Sequence, residues 1–279
     1  MKKELENFLE GRDIRDSEDM NKALGEFTLK CWKDFANHEI SPEHMEAHQY
    51  LEKWEKYHHE KDLKKVLDVY PDCFLAKVYL SLNKDRFTFI KELEVMLDKE
   101  EKRINKTIKQ YKKSVGFTLD GEDYFKGIYE LIKAYMDIGG YFKASKLAEK
   151  ILLMDNADIL EVRILLVGLY AYLEEESKLI KLYKSRKEEY IPYYIAFMCL
   201  YYKRGDFDKA REYLELIKQK NIYFLPYIEK GVEKDVPKTV RVGEESEVVM
   251  IMKEMKYLFD STPYIDEFIK MGGNIWRKY

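Results

Sequence analysis

YMDIGGYFKA at residues 135–144 returns as YYKRGDFDKA at residues 201–210. Both segments follow the pattern Tyr-x3-Gly-x-aromatic-x2-Ala, and a degenerate copy lies between them. In that middle copy, which begins at Tyr170, Glu174 replaces the glycine and Leu179 replaces the alanine. The first tyrosines of the three copies stand 35 and then 31 residues apart. This spacing is close to the period of about 34 residues found in proteins built from repeated helix pairs.

The pattern has a physical explanation in an antiparallel helix pair. The tyrosine of the first helix packs on the second, glycine permits the tight turn, and alanine lies where the two helices cross closely. We therefore predict an all-α solenoid of antiparallel helix pairs in one continuous stack. Irregular helical hairpins are expected over residues 1–121, the clearest repeats over 122–220 and a capping segment over 221–279. A non-repetitive helical bundle, in which the pattern recurs by chance, is the alternative.

Composition supports the helical prediction and narrows the class of partner. The chain has 279 residues, 46% of them hydrophobic, but only 13 Gly and 6 Pro, too few for many strands and tight turns. Lys and Arg total 49 against 52 Asp and Glu, so no net field attracts nucleic acid. No membrane-spanning stretch or secretion signal is recognised. Cys31, Cys73 and Cys199 are scattered, as expected for a cytoplasmic protein without disulfides.

Other helices are predicted from their start and stop signals. Ser41-Pro42 is a strong start, because a capping residue precedes proline at the first helical position. Asp72 is expected to cap another helix, and residues 221–242 to run extended. The predicted helices cover residues 18–37, 41–59, 61–69, 73–82, 86–114, 243–259 and 262–271.

With these motifs the chain resembles bacterial tetratricopeptide-repeat proteins, and more specifically bacterial relatives of the suppressor-of-tumorigenicity-seven family. Residues 139–144 and 205–210 are similar to the family's turn signatures. Residues 68–73 resemble an early repeat ending, and residues 225–228 and 243–247 resemble the segment after the repeats. The resemblance implies an α-solenoid and a role in protein interaction, and it implies no catalytic residues.

In tetratricopeptide stacks the first helix of each pair lines an inner groove. The corresponding segments here are residues 127–138, 161–173 and 191–204. From repeat position we expect a partner groove lined by Tyr129, Lys133, Met136, Ile164, Ala171, Tyr172, Ile195, Cys199 and Tyr202. Lys133 is one candidate cation, but the three segments contain no Asn, so a clamp for a terminal carboxylate is poorly supported.

Residues 191–202 are apolar or aromatic on every side of the predicted helix. Exposing five such side chains would forgo roughly 8–15 kcal/mol, since burial of each contributes about 1.5–3 kcal/mol. We hypothesise that residues 222–228 pack back onto this helix and partly fill the groove. Ordinary stacking of neighbouring helices, with a peripheral tail, is the alternative.

Two clusters of side chains suggest metal or nucleic-acid binding, and each also has a simpler interpretation. His44 and His48 are four residues apart, a spacing that zinc ligands use, but HMEAH is not the H-E-x-x-H of metalloproteases. We favour a surface helix with incidental histidines over a metal site. A lysine stripe at positions 102, 106, 109 and 113 follows an acidic stretch, so we favour a solvated face over nucleic-acid binding.

No enzymatic motif is recognised: the chain has no glycine-rich phosphate loop, no G-x-S-x-G elbow and no local Cys–His signature. We therefore predict no catalytic residue and no cofactor. The expected function is an intracellular scaffold that binds a peptide or helix of another protein on the apolar groove. The alternative is a regulator that senses a small molecule or peptide in the same groove.

Overall fold

The computed structural model describes residues 8–10, 12, 23, 41–112, 115–186, 190–231, 235 and 239–273. These residues form fourteen α-helices and one short 3-10 helix, with no β-strand in the described part of the chain. The all-α prediction is confirmed to that extent. The helix predicted over residues 18–37 lies, except for residue 23, outside the described residues.

The chain divides into two compact units, each described by itself. The first comprises residues 1–128 and 154–157, and the second comprises residues 129–153 and 158–279. The helices of the first unit are α1 (Pro42–Tyr57), α2 (Glu60–Val69), α3 (Phe74–Ser81), α4 (Arg86–Arg103), α5 (Asn105–Tyr111), a 3-10 turn (Val115–Phe117) and the start of α6 (Leu119–Asp137). Its core includes Leu51, Leu63, Val66, Leu75, Phe89, Leu93 and Phe125.

Helix starts in the first unit follow local capping chemistry. The Ser41 hydroxyl accepts a hydrogen bond from the backbone N–H of His44 at 3.2 Å, which satisfies a free donor of the first turn of α1. Asp85 caps α4 in the same way through the N–H of Thr88 at 3.0 Å. The prediction that Asp72 caps α3 is wrong, because Cys73 occupies the N-cap position and makes no side-chain capping bond.

The single long helix predicted over residues 86–114 is wrong as well. α4 ends at Arg103, Ile104 is buried at the break, and α5 ends at Tyr111, after which Lys112 has a positive φ of 50°. The lysine stripe is therefore divided between two helices, and residue 113 lies outside the described residues. Lys102 pairs with Asp98 at 2.6 Å in the i,i+4 geometry of a solvated face.

The second unit contains the end of α6 and eight further described helices. They are α7 (Tyr141–Met154, of which residue 154 belongs to the first unit), α8 (Val162–Tyr172), α9 (Glu176–Arg186), α10 (Ile191–Lys203), α11 (Phe207–Lys220), α12 (Phe224–Lys230), α13 (Glu245–Asp260) and α14 (Ile265–Lys270).

The ends of α6, α8 and α10 form the same turn. After α6, the N–H of Gly139 donates to the carbonyl of Met136 at 3.0 Å, and the N–H of Gly140 donates to that of Tyr135 at 2.7 Å. This pair of bonds is the Schellman motif, which satisfies carbonyls left free at a helix end. The equivalent bonds are Glu174 to Ala171 and Glu175 to Tyr170 after α8, and Gly205 to Tyr202 and Asp206 to Tyr201 after α10.

The middle copy thus has the same register as the two better copies. Glu174 adopts a left-handed φ of 56°, beside 77° for Gly139 and 76° for Gly205. The crossing residues Ala144, Leu179 and Ala210 are all fully buried. The three copies of the sequence pattern therefore share one turn geometry and one buried position.

α10 is enclosed along its length, as its composition required. Residues 191–201 are all buried, and α10 packs against α8, α9, α11 and α13. The tail helix α13 therefore covers it together with its neighbours in the stack.

The predicted path of the tail is wrong in two respects. Residues 224–230 form α12 and are not extended. The helix tolerates Pro226 because this residue lies in the first helical turn, where a backbone N–H makes no hydrogen bond within the helix. The hypothesis that residues 222–228 pack on α10 is also wrong. Ile222 is 72% exposed, and α12 packs on α11, α13 and α14.

Candidate functional site

Three helices, the end of α6 with α8 and α10, contact the C-terminal helix α13 in the second unit, and we call the surface that they offer it the groove. α13 packs against α8 and α10, and its Glu254 carboxylate accepts a hydrogen bond from the Tyr129 hydroxyl of α6 at 2.9 Å. α6, α8 and α10 therefore all contact one helix. Its buried apolar residues are Val248, Val249, Ile251, Met255, Leu258 and Phe259.

A glycine in the middle of α8 admits a tyrosine of α13. The Tyr257 hydroxyl donates to the backbone carbonyl of Leu165 at 3.0 Å. A Cβ placed on Gly168 would lie 2.4 Å from that hydroxyl oxygen and 3.3 Å from the Met255 terminal carbon. Only glycine leaves room for this approach, and we call the gap the Gly168 notch.

The segment that follows α13 closes one end of the groove. The Tyr202 hydroxyl donates to the carbonyl of Pro263 at 3.2 Å, and its ring lies 4.9 Å from that of Phe268 in α14. Phe268 is buried, and α14 packs on α12. The tail thus contacts the groove through both α13 and α14.

A ring cluster borders the groove beside the notch. Tyr172 lies 4.0 Å from Tyr141 between ring centroids, and Tyr141 lies 5.8 Å from Tyr257. The Lys203 ammonium is 5.2 Å from the Tyr172 ring centroid and donates to the Tyr172 carbonyl at 2.9 Å. Aromatic rings with a cation above them form a stable, half-buried border.

The nine residues predicted to line the groove fall into three groups. Ile164, Ala171, Ile195 and Cys199 are buried; Tyr129, Met136, Tyr172 and Tyr202 are half-buried; Lys133 is exposed. Lys133 pairs with Glu130 at 2.7 Å. Tyr129 and Tyr202 are the predicted residues whose contacts with the tail are direct hydrogen bonds.

Buried ionisable groups of the groove are held in their neutral forms. Burial raises the pKa of the Cys199 thiol, which therefore stays protonated and packs as a small apolar side chain. Burial and the charge of Glu254 raise the pKa of Tyr129, which therefore keeps the proton that it donates.

Gly168, Glu254 and Tyr257 were missed by sequence reasoning. One signal was present, since a glycine inside an apolar helix costs about 1 kcal/mol relative to alanine and marks a close approach. Nothing in the sequence around Gly168 indicates which segment approaches it.

A cleft of about 540 Å³ lies beside the groove, lined by residues of α12, α13 and α14. Ile228, Val249 and Phe259 supply apolar surface, while Lys253 and Asp260 are among its charged side chains. Its volume falls in the range of small-molecule sites, and its lining is more charged than is usual for them.

The histidine pair of the first unit surrounds a buried carboxylate. His48 Nε2 lies 2.9 Å from one carboxylate oxygen of Asp123, and His44 Nε2 lies 3.7 Å from the other. His44 also stacks on Tyr70, with ring centroids 4.8 Å apart. The two histidines are not incidental surface residues: His44 is buried and His48 is half-buried.

The charges of this cluster stabilise one another. Burial alone would lower the pKa of His48, but the hydrogen bond and charge of Asp123 outweigh it and raise that pKa. Burial would likewise raise the pKa of Asp123, yet the hydrogen bonds of His44 and His48 lower it. In the described part of the chain, no group of three or more His, Cys, Asp or Glu side chains is arranged to hold a metal ion.

Among the described helices, none combines the length and the apolar character needed to cross a membrane. No protein-family model, no curated protein and no solved structure matches the chain.

Proposed function

We propose that this chain is a protein-interaction scaffold of the helical-repeat class, and that its groove binds an amphipathic helix of another protein. The observation that supports the proposal is that a helix already occupies the groove. α13 presents an apolar face to α8 and α10 and a carboxylate to Tyr129. Helix-in-groove recognition uses this arrangement of apolar anchors with a few polar contacts.

A partner helix must replace α13, since the two cannot share the groove. Burial of six apolar side chains of α13 contributes about 9–18 kcal/mol at about 1.5–3 kcal/mol each, an upper bound. A partner with the same apolar face recovers this free energy. The intramolecular helix therefore competes with the partner and lowers its apparent affinity, as for any ligand whose binding-competent state is rarely populated.

The test weakens the occupant and leaves the groove intact. Ile251→Ala with Leu258→Ala in the full chain removes two fully buried side chains of α13, each worth about 2–5 kcal/mol. A fluorescent peptide of residues 243–261 is then titrated into wild type and variant. We expect the peptide to bind the variant and not the wild-type chain.

A matched control separates release of α13 from general destabilisation. Leu214→Ala with Ile217→Ala removes two fully buried side chains of α11 and leaves α13 unchanged. This control is expected not to bind the peptide. If circular dichroism shows that the α13 variant remains helical and it still binds no peptide, α13 is a permanent cap and the proposal is wrong.

The cleft beside α13 supports a second candidate function, a ligand-sensing regulator. A small molecule bound among Ile228, Lys253 and Asp260 would contact both α12 and α13 and so stabilise α13 in the groove. Non-denaturing mass spectrometry of the full chain from its native host tests this candidate. A stoichiometric small molecule supports it, and an unliganded mass in every preparation counts against it.

A further inference from the structure

We infer that the partner helix carries a tyrosine for the Gly168 notch and, three residues earlier, a glutamate for Tyr129. This inference rests on the proposed function and specifies its partner. Residues 251–258 of α13 supply the pattern, which reads Ile-x2-Glu-Met-x-Tyr-Leu. Ile251, Met255 and Leu258 are fully buried, so they are the apolar anchors between which the two polar side chains lie.

The Gly168 notch selects for the hydroxyl as well as the ring. The Leu165 carbonyl lies inside α8, where a helical hydrogen bond uses one of its lone pairs and leaves the other free. Tyr257 reaches that second lone pair at 3.0 Å. A phenylalanine would fill the same space without the bond, and an aliphatic side chain would also leave part of the space beside Gly168 empty.

The second polar contact of the groove is a site for a carboxylate at Tyr129. Tyr129 is half-buried, its hydroxyl stays protonated, and it donates to the Glu254 carboxylate at 2.9 Å. Bonds with one charged member are stronger than neutral bonds. Residues three apart share one face of a helix, so a single helix presents both the glutamate and the tyrosine to the groove. An extended peptide would place them on opposite sides.

The experiment uses the full chain with Ile251→Ala and Leu258→Ala, titrated with variants of the 243–261 peptide. Tyr257→Phe in the peptide is expected to weaken binding about fivefold, since one such bond contributes about 1 kcal/mol. Glu254→Gln is expected to weaken it about fivefold or more. Glu244→Gln is the matched control for Glu254→Gln, because Glu244 is exposed at the N-cap of α13, and it is expected to change affinity less than twofold.

A change on the groove locates the contact. When Gly168→Ala is added to the full-chain variant, the native peptide is expected to bind at least tenfold more weakly. The peptide with Tyr257→Phe lacks the oxygen that the new Cβ would meet, so the order of the two peptides is expected to reverse.

The outcomes distinguish failure of the proposed function from failure of the inferred glutamate and tyrosine pattern. If no peptide binds the full-chain variant, the proposed function fails. If the native, Tyr257→Phe and Glu254→Gln peptides bind equally, the groove accepts helices but the inferred pattern is wrong. Equal weakening of the native and phenylalanine peptides by Gly168→Ala would also overturn the role of the notch.

Discussion

Replacing Asp123 by asparagine tests the electrostatics of the first unit. The Asp123 carboxylate is 5% exposed, 2.9 Å from His48 Nε2 and 3.7 Å from His44 Nε2. Asparagine keeps the size of the side chain and removes its charge. We expect the destabilisation to depend on pH, because the hydrogen bond and the charge of Asp123 raise the pKa of His48.

The sign of the pH dependence follows from the two shifted pKa values. The pKa of His48 is raised in the folded chain, so its stabilisation is fully present below the ordinary value of about 6.5 and is lost as pH rises through the folded value. The pKa of Asp123 is lowered, so its stabilisation is present above about 3.9 and is lost as pH falls through the folded value. The ion pair therefore contributes most between about pH 4 and pH 6.5.

The expected cost of Asp123→Asn follows from the hydrogen bond to His48. At about pH 5.5 a bond between charged groups contributes about 1.5–3 kcal/mol, and the variant also removes the carboxylate that is hydrogen-bonded to the half-buried His48. At about pH 8.5, above the ordinary pKa of histidine, less of the imidazole is charged, and a bond of the neutral ring contributes about 1 kcal/mol. The cost in the free energy of unfolding should thus be about 1–2 kcal/mol larger at the lower pH.

Urea unfolding of the full chain, followed by far-ultraviolet circular dichroism at both pH values, measures this difference. Asp72→Asn is the control, since the Asp72 side chain is 90% exposed and its pair with Lys77 is expected to contribute little at either pH. A cost for Asp123→Asn that is equal at both pH values, or larger at about pH 8.5, would refute the ion pair.

Three further predictions concern the turns, the crossing and the notch of the second unit. Glu174→Gly should raise the free energy of unfolding by about 1 kcal/mol, because it removes a non-glycine residue from a left-handed conformation. Gly205→Val should lower that free energy by more than about 1 kcal/mol, because it places a branched residue in the same conformation. Urea titration of each variant measures the two changes, which should have opposite signs. Ala210→Leu should cost about 1–3 kcal/mol in the same assay, because Ala210 is fully buried, and a neutral result would contradict the crossing position. In the intact chain, Gly168→Ala should be less destabilising in the presence of Tyr257→Phe than alone, and additive costs in a double-mutant cycle would show that the two residues do not meet.

Much of the helical framework of the second unit was predictable from the sequence. The turns at Gly139 and Gly205 depend on residues within five positions of each other, so their hydrogen bonds appear as a repeated pattern. The burial of the aromatic helix α10 was predictable from its sequence, because no face of this helix is polar. The middle turn was harder to assign, since Glu174 adopts there the left-handed conformation that glycine favours.

The occupant of the groove was decided by the tertiary structure alone. α13 was predicted as a helix, but neither its sequence nor that of α8 indicates that Tyr257 meets Gly168. The histidine cluster is similar, since the spacing of His44 and His48 places them on one face and only folding brings Asp123 between them. Short-range hydrogen bonds and periodic burial constrain residues that are close in the sequence, so they appear as local sequence patterns. Contacts between distant segments depend on complementary shape and charge. The two complementary segments lie far apart in the sequence, and no local pattern indicates that they pair.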